Sequence, residues 1–525
     1  MQFLYDLAAP EYAGIRWLVE DEILSMMNGL DLRAIHEDLS FKHRKAISRK
    51  VKAKDEEEHR LFERDPFIYF YEDFLSKYDA KMKKARGVYY TPPPIVNFIV
   101  RAVDGILKTS FGIPDGLADR PHVTVLDFAC GTGTFMLEVF QRIFDNIGGP
   151  DAERAGPIVR EHLLENVFGF EYLIAPYTIA HLKLSQYLKD KSHPLDGNER
   201  LQVFLTNTLE PIVAESDQRE LWPVPALASE IKKAQTVKEK PILVITGNPP
   251  YSGHSKNKGV WISTAINEYK FVHETDAEGR EHRKPLGEKN PKWLNDDYVK
   301  FIRFAQMKMD AVDEGIVGVI TNHSWLDNPT FRGMRQSLMR SFDQIYVLDL
   351  HGSAEKKERS PDGSDDQNVF DIKQGVAISL LVKKKNVERG VWRADWWGHR
   401  LAKYQAGAEQ TMETVEWRKL EPRAPDFLML EQDYDEKARY GSGWKVTDIF
   451  STNSVGIVTA RDNLCIHFDE VSLMKTVRDF AALDSEAARQ KYKLGARLEG
   501  DVGAIRSQPT TYIKAFCPIV VLQAF

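Results

Sequence analysis

Asn248-Pro249-Pro250-Tyr251 follows the apolar run Ile242-Leu243-Val244-Ile245 after only Thr246 and Gly247. That spacing predicts a loop at the carboxyl end of a buried strand. Both prolines fix φ and lack an N–H, so the Asn248 amide oxygen and the Pro249 carbonyl can both point at one planar amino nitrogen. Tyr251 adds a ring able to lie against a flat base. An amine conjugated to a purine is a poor nucleophile, and two hydrogen bonds accepted from it favour the pyramidal form that attacks an electrophilic methyl. Taken alone, the tetrapeptide is equally compatible with an ordinary proline turn.

A second segment lies upstream. His122-Val-Thr-Val-Leu126 reads as a strand running into Asp127-Phe128-Ala129-Cys130-Gly131-Thr132-Gly133-Thr134-Phe135, ahead of a helical stretch from Met136 to Ile143. The glycines permit a tight turn and close approach of a ligand to the backbone at a helix N-terminus. The dinucleotide fingerprint is excluded, because no third spaced glycine follows Gly133. The segment resembles the S-adenosylmethionine loop of amino-methyltransferases. Glu171 ends the next expected strand, where a carboxylate can accept hydrogen bonds from both hydroxyls of a ribose.

Positioning these residues requires a layered sheet. Strands are predicted at 123–128, 166–171, 202–206, 242–247, 315–321, 345–350 and 376–382, with helices at 94–108, 134–146, 174–188, 297–312 and 330–341. The alternation is that of a doubly wound α/β fold, and the last two strands form a hairpin-like pair around residues 351–375. Two long polar segments, 252–296 and 352–368, interrupt the pattern, and loops of that length are usually functional or disordered. Residues 1–86 read as a helical region, 87–390 as the main domain, and 391–525, opening on Trp392, Trp396 and Trp397, as the start of a further module.

Composition bounds the rest. The 525 residues have room for roughly two to four domains, and 43% hydrophobic with 28% charged residues fits a globular protein. There is no apolar run of about 18 residues and no basic leader, so neither a membrane span nor a signal peptide is expected. Cys130, Cys465 and Cys517 stand at unrelated spacings, which argues against a zinc cluster or disulfide framework and fits a reducing cytoplasm. A net charge of −6 does not advertise nucleic-acid binding. Local basic clusters at 42–54 and 81–86 could serve phosphate contacts or simply be solvated helix faces.

The two loops occur in order with Asp65-Pro-Phe-Ile-Tyr-Phe-Tyr71, Gly87-Val-Tyr89-Tyr90-Thr91-Pro92, Gly169-Phe-Glu171, Thr206-Asn207-Thr208-Leu209-Glu210-Pro211 and Gln367-Asn-Val-Phe370-Asp371. Together they resemble the gamma group of N6-adenine DNA methyltransferases. Within that group they resemble the methylase portion of type ISP and similar fused restriction-modification enzymes. The resemblance runs from about residue 60 to about 465; one departure is Phe128, where many relatives carry proline. It implies a Rossmann-like class I methyltransferase with a seven-stranded mixed sheet, an N-terminal helical region and a partial C-terminal target-recognition module. Its cofactor would be S-adenosyl-L-methionine, held by Tyr90, Thr91, Asp127, Ala129, Cys130, Gly131, Gly133, Thr134, Phe135, Glu171, Asn207, Leu209 and Asn248.

The implied reaction is methylation of adenine N6 in duplex DNA after base flipping, with Asn248, Pro249, Pro250 and Tyr251 catalytic. Tyr251 and Phe370 would stack on the target base, the ring of Tyr251 mattering more than its hydroxyl. Thr91 could instead cap the first helix, Asn207 could be a turn residue, and Phe370 could belong to the core. No metal or general base is required, so His254 and His323 are read as incidental. No phosphate-loop motif is present, so any restriction or translocase partner would be encoded separately. The apolar end Ile519-Val-Val-Leu-Gln-Ala-Phe525 reads as a buried strand or, since relatives continue further, a truncated end. The competing reading keeps the chemistry but moves it to a protein glutamine or an RNA guanine amine.

Overall fold

The structure, a computed structural model, describes residues 90–197, 199–211, 225–251, 255–288, 291–450 and 466–492. The region expected to be helical at 1–86, the motifs before Tyr90, both basic clusters, His254 and the apolar C-terminus lie outside them.

The first compact unit extends to Glu431 and is built on one nine-stranded sheet. Its strands are β1 (Val125–Asp127), β2 (Val167–Glu171), β3 (Gln202–Leu205), β4 (Val244–Gly247), β7 (Gly315–Asn322), β8 (Gln344–Asp349), β9 (Val376–Lys383), β10 (Gly390–Asp395) and β11 (Arg418–Leu420). A separate hairpin, β5 (Phe271–Thr275) and β6 (Glu281–Pro285), is formed within the long polar insertion. The order across the sheet is β11-β10-β8-β9-β7-β4-β1-β2-β3. β1, β2, β3, β4 and β7 run parallel, and β9 lies antiparallel between β7 and β8. All seven expected strands are present, the last two paired as anticipated, and two further strands extend the sheet.

Those two strands place residues 390–420 in the sheet, where the Trp-rich stretch was expected to open a new module. β10 pairs in parallel with β8 over six residues, from Gly390 opposite Gln344 to Asp395 opposite Asp349. Trp392 stacks on Tyr346 of β8 with ring centroids 4.9 Å apart. Cross-strand aromatic pairs of this kind stabilise a sheet, and Trp396 packs into the same core against Phe98, so neither begins a second core.

Alternation along the strands serves two cores. In β7, Ile316 and Ile320 face one cluster while Val317 and Val319 face the other, the period of two that pleating imposes. One face carries α1 (Pro93–Thr109), α2 (Thr134–Asn146), α3 (Ile174–Asp190) and α7 (Arg400–Glu409). The other carries α4 (Pro225–Glu239), α5 (Asp297–Asp310) and α6 (Arg332–Ser341). α1 begins with prolines at its first turn, where no N–H is needed, and eleven of its residues are buried.

The second unit, Gln432–Phe525, is helical where described. Three of its helices start on an aspartate side chain, Asp433, Asp469 and Asp484, accepting from the backbone N–H groups that follow. Among the described residues of the chain, no helix is long and apolar enough to cross a membrane.

Candidate active site

The direction of the sheet changes at β1. From β1 the chain passes to β2 and β3 on one side, and β4 then pairs on the other. Ligand crevices of open α/β sheets lie outside the strands' carboxyl ends at such a switch point. Both predicted loops are there, one leaving Asp127 and one leaving Gly247.

Gly247 holds them together. Its φ is 141°, and a Cβ at that position would lie 2.8 Å from Oδ1 of Asp127 and 2.9 Å from the Phe128 ring. Only glycine allows this approach. Asp127 is 1% exposed. Its Oδ1 accepts the Ala129 N–H at 3.2 Å, and its Oδ2 is buried without a hydrogen-bond partner. Burial, reinforced by the nearby Glu171 charge and opposed by the Ala129 bond, raises this carboxyl to about 8. An acid so placed is short of a cation or a donor.

Glu171 ties the Gly-rich loop to β2. Oε2 accepts the Gly131 N–H at 2.8 Å and Oε1 the Leu173 N–H at 2.7 Å. A carboxylate has about four acceptor sites, so these two bonds are compatible with the ribose role expected for Glu171. Gly131 has φ 56° and open space where a Cβ would stand, whereas the Cβ of a residue replacing Gly133 would press on Ala180 at 3.2 Å. The first glycine therefore faces the crevice and the second lets α2 pack on α3.

The Asn248 carboxamide is pinned at both ends. Its Nδ2 donates to Oγ1 of Thr91 at 2.9 Å, and its Oδ1 accepts from the Tyr251 hydroxyl at 2.8 Å. The Tyr251 hydroxyl also lies 3.3 Å from the Ile320 carbonyl, and its ring meets Tyr298 edge-on at 6.2 Å. Thr91 does not cap α1, whose N-cap is Pro92 with no side-chain bond; its hydroxyl serves Asn248. The Tyr251 hydroxyl, expected to matter little, donates to the Asn248 amide oxygen.

Other expected site residues point elsewhere. The Cys130 side chain is buried against Met136 with 3.6 Å between the sulfurs, and Phe135 sits in the core at 3% exposure. These residues can meet a ligand only through backbone. Phe128 is fully buried and meets Phe301 edge-on. Asn207 accepts the Leu209 N–H at 3.0 Å, the Asx-turn its alternative reading described, and Leu209 is 2% exposed. Phe370 is 4% exposed in the core cluster rather than open to a base, because Asn368 Oδ1 holds its N–H and Arg400 its carbonyl, each at 2.8 Å.

A group that sequence reasoning missed lies beside Asn207. Its Nδ2 bonds Oδ1 of Asn257 at 3.0 Å, and Asn257 Nδ2 donates to Asp297 at 2.9 Å. Ser255 bonds the same carboxylate, and Lys300 caps Ser255 at 2.7 Å. The segment after the Asn-Pro-Pro-Tyr loop is thus anchored to α5. The available signal was Asp296-Asp297 at the helix start that closes the long polar segment.

The N-6 DNA Methylase family matches residues 62–279, and the Type ISP C-terminal specificity domain matches residues 448–514. A comparison with curated proteins found no match. Among solved structures, the DrdV–DNA complex is similar at 25% identity and TM-score 0.60, covering 84% of this chain and 43% of its own. The ATP-dependent type ISP restriction-modification enzyme LlaBIII bound to DNA gives 24% and 0.59, covering 79% and 27%. A nuclease-deletion mutant of the type ISP enzyme LlaGI with a DNA substrate mimic gives 21% and 0.59, covering 90% and 45%. This chain therefore spans less than half the length of each. The chain thus carries, in order, a region similar to the N-6 DNA Methylase family and a region similar to the Type ISP C-terminal specificity domain.

Proposed function

We propose that the chain transfers a methyl group from S-adenosyl-L-methionine to N6 of adenine in duplex DNA, within a cytoplasmic restriction-modification system. The observation that carries this reading is the Asn248 carboxamide, oriented at both ends and set at the crevice it shares with the Gly-rich loop. The methylase and specificity matches and the DNA-bound relatives support the choice of substrate.

The crevice fits the cofactor's chemistry. The unpartnered Oδ2 of Asp127 suits an ammonium, Glu171 suits ribose hydroxyls, and the open side of Gly131 leaves room against the backbone. When bound, S-adenosyl-L-methionine supplies an electrophilic methyl on a sulfonium. The chain's task is then alignment. Asn248 Oδ1, with a second lone pair beside the Tyr251 bond, accepts one N–H of the target amine and the Pro249 carbonyl accepts the other. The stacked base must first leave the duplex at a cost of a few kcal/mol, and the half-buried Tyr251 ring recovers part of that by stacking. Phe370 would join it only if its loop opened.

The test is transfer of labelled methyl from the cofactor to duplex DNA, run beside ribosomes and release factors. Label in N6-methyladenine at a fixed sequence is the expected result. Label confined to a protein glutamine or an RNA guanine would replace this function with the competing one.

A further inference from the structure

Beyond the crevice, the carboxyl ends of β7, β8 and β10 bring together a second set of groups. His323 directly follows β7, Asp349 ends β8, His351 lies two residues on, and Asp395 ends β10. His323, Asp349 and His351 are each 3–4% exposed. Nδ1 of His323 meets Oδ1 of Asp349 at 3.0 Å, and Nε2 of His351 meets Oδ1 of Asp395 at 2.8 Å. Each imidazole thus has one nitrogen committed to a carboxylate, which fixes its tautomer and leaves the other as a lone-pair donor.

Nδ1 of His351 is buried without a hydrogen-bond partner. The nearest carboxylate oxygens are Oε1 of Glu358 at 3.6 Å and Oδ2 of Asp349 at 3.7 Å, beyond hydrogen-bond range. Glu358 uses its other oxygen to accept the Ser353 N–H at 2.7 Å. A ring nitrogen of His323, one of His351 and a carboxylate oxygen of Glu358 all lie within 4.8 Å of one another. Two donors on a tetrahedral zinc, with bonds of ~2.1 Å, stand about 3.4 Å apart, close to the His351–Glu358 separation. The His351 ring is held by a φ of 52° and by stacking on Trp397 at 15°.

We propose that His323, His351 and Glu358 bind one zinc-class divalent ion, which fastens the loop after β8 to the ends of β7 and β8. Two imidazoles and a carboxylate are the donor set such an ion prefers, and Asp349 and Asp395 supply the outer carboxylates that orient the imidazoles. The neighbouring trio of Asp349, His351 and Asp395 is not the site. Arg393 reaches Asp349 at 2.8 Å and Asp395 at 2.6 Å, so a guanidinium is already its cation. The ion takes no part in methyl transfer. It holds the segment that continues to Asn368 and Phe370, and Asn368 in turn bonds the Gly352 carbonyl at 3.2 Å.

The full chain, purified without chelator and dialysed, should carry about one zinc-class ion per molecule by elemental mass spectrometry. After chelation, added Co²⁺ should give the intense visible bands of a tetrahedral N,O site, and added Zn²⁺ should restore the melting temperature that chelation lowered. Glu358→Gln should weaken Co²⁺ binding at least tenfold. His323→Asn keeps a donor for Asp349 but loses the ligand, so it should fold, weaken Co²⁺ at least tenfold, and melt at a temperature indifferent to Zn²⁺. Absence of a bound ion, a Co²⁺ spectrum like that of the aqueous ion, or binding unchanged in both folded variants would each overturn the proposal. The cluster would then be a purely organic network with His351 as its imidazolium.

Discussion

At the β1/β4 crevice the proposed chemistry rests mainly on two contiguous segments, 127–135 and 248–251, joined by Thr91 and Glu171, and the backbone does much of the work. Gly131, Gly247 and two prolines set positions that one carboxamide and two carboxylates then exploit. The cluster beyond β7 is assembled differently, from side chains scattered between His323 and Asp395; His323, Asp349, His351 and Arg393 are buried, and Asp395 and Glu358 are half-buried. A site made of turns tolerates partly satisfied groups, such as the Asp127 carboxyl, where a ligand can complete them. A site made of buried side chains needs a counter-charge at hand, from Arg393 or a bound cation, since an uncompensated buried charge costs several kcal/mol.

The sharpest test of that contrast is Phe370, which follows the loop of the second region but was expected to serve the first. As a core residue, Phe370→Ala should cost about 3–5 kcal/mol of stability, with activity reduced alike on paired and mismatched DNA. A stable variant whose defect shrinks on a mismatched target adenine would return the ring to the base. Asn248→Ala should come next, slowing methyl transfer roughly 100-fold or more while cofactor affinity, read by calorimetry, changes little. Turnover within tenfold of the parent would remove Asn248 from the reaction.

Asp127 gives a pH-dependent effect whose sign follows from its raised carboxyl. The proton is favoured by the fold, so this group's contribution to stability is complete below about pH 4 and is lost as pH rises through about 8. A cationic cofactor set against Oδ2 favours the ionised form. Affinity should therefore improve by up to about tenfold per unit between roughly pH 6.5 and 8, with proton release, and be flat in Asp127→Asn. A flat profile in the parent chain would mean that no cation meets Asp127. The smallest effect belongs to Tyr251→Phe, which removes one hydrogen bond worth about 0.5–1.5 kcal/mol. A fall in turnover of roughly 2–10-fold is expected, and an unchanged rate would show that Thr91 alone orients Asn248.

What could be read from sequence follows the same division. The seven strands were legible because each is a short apolar run ending at a turn, and the crevice because both of its loops are contiguous. β10 and β11 were not: on the face of Gly390–Asp395 that begins with apolar Val391, the next two positions are Arg393 and Asp395, which are accommodated by pairing with one another rather than by hydrophobicity. The roles of Cys130, Phe135 and Leu209 depend on which way a side chain leaves the backbone, and the motif specifies only the backbone. His323 was set aside because no step of the reaction needed it, and nothing near it in sequence announces Asp349 or Glu358. Thr91 could be told from a helix cap only by seeing Asn248 against it.

The outermost strand carries a consequence for handling the protein. β11 is only three residues long, and its Arg418 and Lys419 are exposed, ion-paired to Asp395 and Glu388. Short, cationic borders of this kind discourage a sheet from recruiting a strand from another molecule. A fragment cut at residue 390, where sequence alone would end the domain, would strip away β10 and β11 and bare the flank of β8 between Gln344 and Asp349. Such a fragment should self-associate even if its crevice were intact, whereas one ending beyond Glu431 retains its own guard.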